Sequence, residues 1–209
     1  MSMDQSKLTT TSYAILGLLA IKPWSTYELA QQVHVRMRRF WPRAESKLYE
    51  EPKKLATRGL AESEVGRVGK RQRTTYSVTP AGEEHLARWL AEPGGPPVLE
   101  FEALLKVFFA EYGTKEDLQA TLVAVQDWAA EQLAEDADTA QRYLDNVGQF
   151  PDRVAHLVLV GRFLSDFADM TGRWAQWAAE ESRHWPEDVG DATPNREALR
   201  EIADRNAGW

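Results

Sequence analysis

The feature that most constrains this chain is the punctuation of residues 42–82, PRAESKLYEEPKKLATRGLAESEVGRVGKRQRTTYSVTPAG. Leu48, Leu55 and Ala56 recur between charged residues, so 42–58 predicts an amphipathic helix. Gly59 stops it, as a glycine just past a helix end does. Residues 60–64 can lie extended. Residues 65–73 hold two glycines and four cations, Arg67, Lys70, Arg71 and Arg73, and read as a basic loop. TTYSV at 74–78 is the most strand-like run in the chain, because β-branched and aromatic side chains fit a pleated surface. Thr79-Pro80 opens another helix, with a capping threonine and proline at the first helical position. Helix, strand, basic loop, strand, helix is the order of a winged helix. A hairpin tip needs polar turn residues but not four cations. Held out from a fold, those cations would meet phosphates, and a helix ending just before the hairpin could enter a major groove about 12 Å wide. The competing reading is a solvated hairpin on an ordinary domain.

The residues upstream complete the unit. Thr9 or Thr10 can cap a first helix through Tyr13, Ala14, Ile15, Leu16, Leu18 and Leu19, apolar on most sides and therefore a core helix. Lys22-Pro23-Trp24 reads as a turn. Ser25 and Glu28 form a capping box for a second helix running to about Arg38, with Tyr27, Leu29, Ala30 and Val33 as its buried side. Residues 39–42 are a short link, so helices two and three form a helix-turn-helix. Pro52 falls inside the predicted third helix. It has no N–H for the Leu48 carbonyl, at a usual cost of roughly 3 kcal/mol, and predicts a bend or a break and restart.

Ser46-Lys47-Leu48-Tyr49, Leu55, Arg58-Gly59-Leu60 and Tyr76-Ser77-Val78-Thr79-Pro80-Ala81-Gly82 resemble the PadR family of bacterial transcriptional regulators. So do Tyr13-Ala14-Ile15-Leu16-Gly17-Leu18-Leu19 and Tyr27-Glu28-Leu29. The resemblance covers about residues 8–90. It differs at Glu50 and Pro52, where members often carry proline and leucine. The resemblance implies an N-terminal winged helix, a C-terminal helical dimerisation domain and repression relieved by a small molecule.

A net charge of −7 is unusual for a DNA-binding chain until it is divided. Residues 1–90 hold 15 Lys and Arg against 9 Asp and Glu, a balance of +6, and residues 91–209 hold 10 against 23, a balance of −13. A basic front half and an acidic back half suggest two parts with different partners. Residues 91–97, AEPGGPP, form the clearest boundary, because two glycines and three prolines cannot continue a helix. The expected organisation is a winged-helix domain over 1–90, a linker over 91–97, a helical dimerisation and effector domain over 98–185, and a polar tail over 186–209. Within the helical domain, one helix spans 98–112. A second starts after Gly113 with Thr114 as its cap and Asp117 three residues on, running to about 146. A third runs from about 152 to 184. Helices this long suggest a coiled-coil-like bundle or a dimer arm. The fold class is mainly α with a small β-hairpin wing.

Enzyme chemistry finds little support. There is no GxSxG, no phosphate-cradling glycine loop, no HExxH and no cysteine at all. The four histidines, His34, His85, His156 and His184, are far apart, so neither a metal nor a cofactor is expected. No leader or membrane-spanning run is legible, and the expected place is the cytoplasm.

The candidate DNA contacts divide by role. Arg43, Ser46 and Lys47 fall in the first turns of the third helix, where base edges are usually reached. Tyr49 lies one turn on, as a phosphate contact that the resemblance supports. Lys53 and Lys54 can touch the backbone, or simply be solvated. Arg71 and Arg73 are wing contacts. Six of the eight tryptophans lie after residue 88, and such an aromatic surface fills a dimer core or lines a pocket for a flat ligand. Tyr13, Phe108, Trp128 and Trp174 are the candidate effector walls, and plain core is the competing reading for each. The expected partners are an operator duplex, a second copy bound through the C-terminal helices, and a small aromatic effector. The rival function is a winged-helix protein–protein interaction module that binds no DNA.

Overall fold

The computed structural model describes residues 8–42, 48–68 and 71–205. They fall in two compact units, Met1–Pro97 and Val98–Trp209.

The first unit is built on α1 (Thr10–Ile21), whose N-terminus is closed by a reciprocal capping box between Thr9 and Ser12. Ile15, Leu16, Leu18 and Leu19 are buried. Two tryptophans tie this helix to its surroundings. The Trp24 indole donates to the Leu18 carbonyl at 2.8 Å, and the Trp41 indole donates to the Thr11 hydroxyl at 3.2 Å. Trp24 is not in a turn: it forms β1 (Trp24–Ser25), which pairs with β3 (Arg71–Val78) through Trp24↔Tyr76 and Ser25↔Thr75. The other edge of β3 pairs with β2 (Ala61–Val68), so the sheet order is β1-β3-β2, all antiparallel. Between β1 and β2 come α2 (Thr26–Arg36) and α3 (Glu51–Thr57). The unit closes with α4 (Pro80–Leu90), capped by the Thr79 hydroxyl on the Gly82 amide. Leu29, Val33, Leu48, Leu55, Leu60 and Tyr76 complete its core.

Two further expectations change here. The third helix is far shorter than 42–58: α3 begins at Glu51, and residues 48–50 form a turn. Pro52 is therefore neither a bend nor an interior break. It sits in the first turn, where its missing N–H has no intrahelical partner to lose. The helix ends as expected, with Gly59 left-handed at φ 70. Leu60 N–H bonds the Leu55 carbonyl and Gly59 N–H the Ala56 carbonyl, which is a complete Schellman closure. The second change is in the wing. Residues 65–68 and 71–73 are strand, registered as Val65↔Thr74, Gly66↔Arg73, Arg67↔Gln72 and Val68↔Arg71.

The second unit holds α5 (Glu102–Phe108), α6 (Lys115–Leu144), α7 (Val154–Arg183) and α8 (Arg196–Asp204). The helix expected over 98–112 is cut at both ends: Phe101 is extended, and a 3₁₀ turn at Ala110–Tyr112 follows α5. Thr114 and Asp117 form the predicted capping box of α6. α6 and α7, each 30 residues long, pack as an antiparallel pair. Gln119 bonds the Ser182 hydroxyl and the Ala179 carbonyl, and Gln126 bonds the Ala175 carbonyl. The seam is Leu118, Leu122, Val125, Ala129 and Gln132 against Ala168, Thr171, Ala175, Ala179 and Ser182. Its spacing is that of a heptad face. From 133 to 167 no residue is buried, although Leu159 is 74% exposed and Phe163 63%. The polar tail, described to residue 205, carries a short helix after Asn195 and one apolar side chain that packs inward. Val189 is buried with Leu118, Leu122 and Ala179, and Asn195 caps α8 while donating to Glu181. Among the described residues no helix is long and apolar enough to cross a membrane.

Candidate nucleic-acid interface

The best-defined polar arrangement of the first unit lies where α2 meets the sheet. Ser25 ends β1 and caps α2, and Glu28 is three residues on. One carboxylate oxygen of Glu28 accepts three bonds: from the Ser25 amide at 2.8 Å, from the Ser25 hydroxyl at 2.8 Å and from Arg73 Nη2 at 2.6 Å. Donation from the Ser25 amide is the main reason that its carboxyl falls from an ordinary 4.5 to about 2, with the Ser25 hydroxyl and the Arg73 guanidinium adding to it against partial burial. Arg73, from the wing, is thus engaged within the protein, with 42% of its side chain still exposed.

Tyr27 stands beside this arrangement and is 77% exposed, which corrects its expected place on the buried side. The buried face of α2 is set by Leu29 and Val33. Tyr27 precedes Leu29 by two residues, about 200° round the helix, and so points away from it. Sequence periodicity missed it because a tyrosine in a helical window is read as apolar.

Of the other expected contacts, Tyr49 is 65% exposed in the turn before α3, and Lys53 is exposed in α3. Lys54 is half-buried and paired with Glu51 at 3.1 Å. Arg71 opens β3, and Arg67 is exposed on β2. Arg43, Ser46 and Lys47 lie outside the described residues, as does Lys70 of the hairpin tip.

The four aromatic effector candidates fall in different surroundings. Tyr13 stacks on Trp89 of α4, with ring centroids 4.9 Å apart and planes 6° from parallel. The other three are in the second unit, each edge-on to a different ring: Phe108 to Phe109, Trp128 to Phe167 and Trp174 to Phe101. An open groove of about 760 Å³ runs between α5 and the start of α6, walled by Leu105, Phe109, Tyr112, Leu118 and Thr121, and by none of those four. Phe109 and Tyr112 fell inside the helix expected over 98–112, but α5 ends at Phe108, so these walls come from its end and the 3₁₀ turn after it. Among the described residues, no group of three or more acidic, histidine or cysteine side chains could hold a metal ion.

Two family models match the chain. The transcriptional regulator PadR-like family matches residues 15–88, and the virulence activator alpha C-terminal family matches residues 101–183. The negative transcriptional regulator PadR of Bacillus subtilis is 31% identical over 99 residues, 46% of this chain and 54% of that protein, so the match spans about half of this curated relative. In fold, the chain is similar to B. subtilis PadR in complex with operator DNA. The TM-score is 0.72 at 20% identity, covering 83% of this chain and 99% of that one. It is also similar to B. subtilis PadR in complex with p-coumaric acid, with a TM-score of 0.62 at 19% identity, covering 85% and 99%.

Proposed function

We propose, since this chain belongs to the PadR-like family of transcriptional regulators, that it is a homodimeric repressor which binds a specific DNA duplex and is released by a small aromatic effector. The family is one of regulators rather than enzymes. The observation that carries the DNA-binding part is the basic hairpin of β2 and β3 in the same unit as α2 and α3, in a half-chain of balance +6 joined to one of −13. Arg67 and Arg73 on the wing, and Lys53 and Tyr49 at α3, are exposed cations and a phenol of the kind that contact phosphates. Base readout falls to Arg43, Ser46 and Lys47, and backbone contact to Tyr49, Lys53, Lys54, Arg71 and Arg73.

Dimerisation through the second unit is supported by the apolar row Leu159, Phe163, Met170 and Trp177 on α7, all exposed at spacings of four and seven. Such a row is a seam that lacks its partner. The effector part takes its chemistry from the relative bound to p-coumaric acid. A planar aromatic acid suits aromatic walls, and Tyr13, Phe108, Trp128 and Trp174 are the rings to test.

The test is selection of bound fragments from genomic DNA, followed by titration at several salt concentrations. Binding should favour the selected duplex and weaken with salt, with a log–log slope of about −0.9 per neutralised phosphate. Salt-insensitive binding, or none, rejects the repressor reading in favour of a protein–protein module. Tryptophan quenching by p-coumaric acid tests the effector. Linkage requires tighter binding to free protein than to the DNA complex, and equal quenching in both states rejects release by this compound class.

A further inference from the structure

The capping box of α2 needs an acceptor at its third position, and glutamine or glutamate serves equally. The structure holds more than that need explains. Glu28 uses the same oxygen that takes both Ser25 donors to take Arg73, 45 residues away in sequence. The far end of that link is where the sheet loses a strand. β1 covers β3 only at Tyr76 and Thr75. Beyond Thr75, toward the tip, β3 is paired with β2 alone, through Val65, Gly66, Arg67 and Val68. A two-stranded ribbon leaving a sheet has little rigidity of its own, because a lone hairpin is marginal in water. Arg73 is the second residue past Ser25's partner Thr75 and shares its face of the strand. Ser25 itself is buried, and its neighbour Trp24 is locked to the Leu18 carbonyl. The link therefore runs from the core of the unit to the outer wing.

We propose that Glu28 is a positioning residue for DNA binding: its carboxylate ties Arg73 of the wing to the first turn of α2, and so holds the wing and that guanidinium in register with the helix-turn-helix for a backbone phosphate. The inference rests on the DNA-binding reading above. Glu28 takes one of the five N–H donors of Arg73, and the 42% of that side chain left exposed carries donors to a phosphate oxygen. The benefit is pre-organisation: a wing held in its bound place loses less freedom on binding. Tyr27, exposed on the same turn, offers a hydroxyl on this surface.

The test uses the full chain and a selected duplex, with Glu28→Gln, Arg73→Gln and the double variant. Glutamine keeps the cap acceptor and removes the charge that grips Arg73. Glu28→Gln should weaken specific binding by about three- to tenfold in the parent chain and have no effect in the Arg73→Gln background. Equal losses in both backgrounds would show that Glu28 is only a cap. Tighter binding would show that Glu28 competes with phosphate. Both results overturn the proposal. A DNA-free arm separates its failure from failure of the DNA reading. In Glu28→Gln, amide hydrogen exchange should quicken at Val65, Gly66, Arg73 and Thr74 as well as in the first turn of α2. Quickening confined to α2 refutes the tie. If the parent chain binds no duplex, the repressor reading and the DNA role of Glu28 fail together, while exchange still decides whether Glu28 holds the wing.

Discussion

The two units solve the burial problem in opposite ways. The first closes on large side chains: Ile15, Leu16, Leu19, Leu29 and Leu55 are each at most 1% exposed. The second seals its main seam with large side chains on one side only, Leu118, Leu122 and Val125 of α6. α7 turns Ala168, Thr171, Ala175, Ala179 and Ser182 toward α6 and leaves Leu159, Phe163, Met170 and Trp177 outside. Small residues let two helix backbones approach closely, but they remove little apolar surface from water. Full burial of one leucine or phenylalanine contributes about 1.5–3 kcal/mol, so covering the outer row would add substantially to the stability of the second unit. The first unit thus has the larger buried core of its own, and the second keeps a long apolar row in contact with water.

The largest effect that tests this contrast is in the complete core. Leu55→Ala should destabilise the first unit by about 2–5 kcal/mol, and by the same amount at every protein concentration. Denaturant unfolding across a hundredfold dilution checks it. A concentration-dependent loss would mean that this core, too, relies on a second chain.

The outer row is tested next. Leu159→Glu with Phe163→Glu should raise the dimer dissociation constant by about a hundredfold, roughly 2.7 kcal/mol, because charges would enter an apolar seam. Sedimentation equilibrium reads the constant, and unfolding of the first unit should not change. A parent chain that is monomeric at all concentrations would break the comparison at its root.

Close approach of α6 and α7 has its own probe. A methyl added at Gly172 would meet the Ala129 methyl at 2.9 Å. Gly172→Ala should therefore cost about 1–3 kcal/mol by overpacking, against the usual gain from replacing glycine in a helix. Gly161, on the same helix, meets nothing within 4 Å, so Gly161→Ala should be stabilising by up to about 1 kcal/mol. Thermal unfolding of the pair decides it, and equal responses would deny the close seam.

The smallest effect concerns acid. The Glu28 carboxyl lies near 2 in the folded chain against an ordinary 4.5. A depressed folded value contributes stability that is present above the unfolded value and is lost as pH falls toward the folded one. The first turn of α2 and the wing should thus loosen between about pH 4.5 and 2. Amide exchange over that range should show the loss in the parent chain and not in Glu28→Gln. An unchanged profile in the variant would move the acid sensitivity elsewhere.

What the sequence determined by itself is what local chemistry decides. Helix ends at Ser25 with Glu28, Thr79 with Pro80, Thr114 with Asp117, and at Gly59 were legible, because each cap closes between residues no more than a few positions apart. The winged-helix order, the mainly helical class and the long paired helices were legible from the same punctuation with periodicity, and so was the charge that divides the chain. Only the tertiary structure decided the rest. β1 exists because Trp24 and Ser25 find Tyr76 and Thr75, half a hundred residues later, and a two-residue strand carries no periodicity of its own. The basic run of 65–73 is largely ribbon because each residue pairs across β2 and β3, an arrangement no single-strand pattern encodes. The same holds at the site. The types of Arg73 and Glu28 could be read, but their bond could not, since it spans the fold. Tyr27 faces water because Leu29 and Val33 took the core. Val189 returns from the polar end of the chain because the seam of α6 and α7 leaves room for an apolar side chain there. Contacts close in sequence are limited to a few geometries and can be read off; contacts distant in sequence are chosen by competition for the core, which the whole chain settles at once.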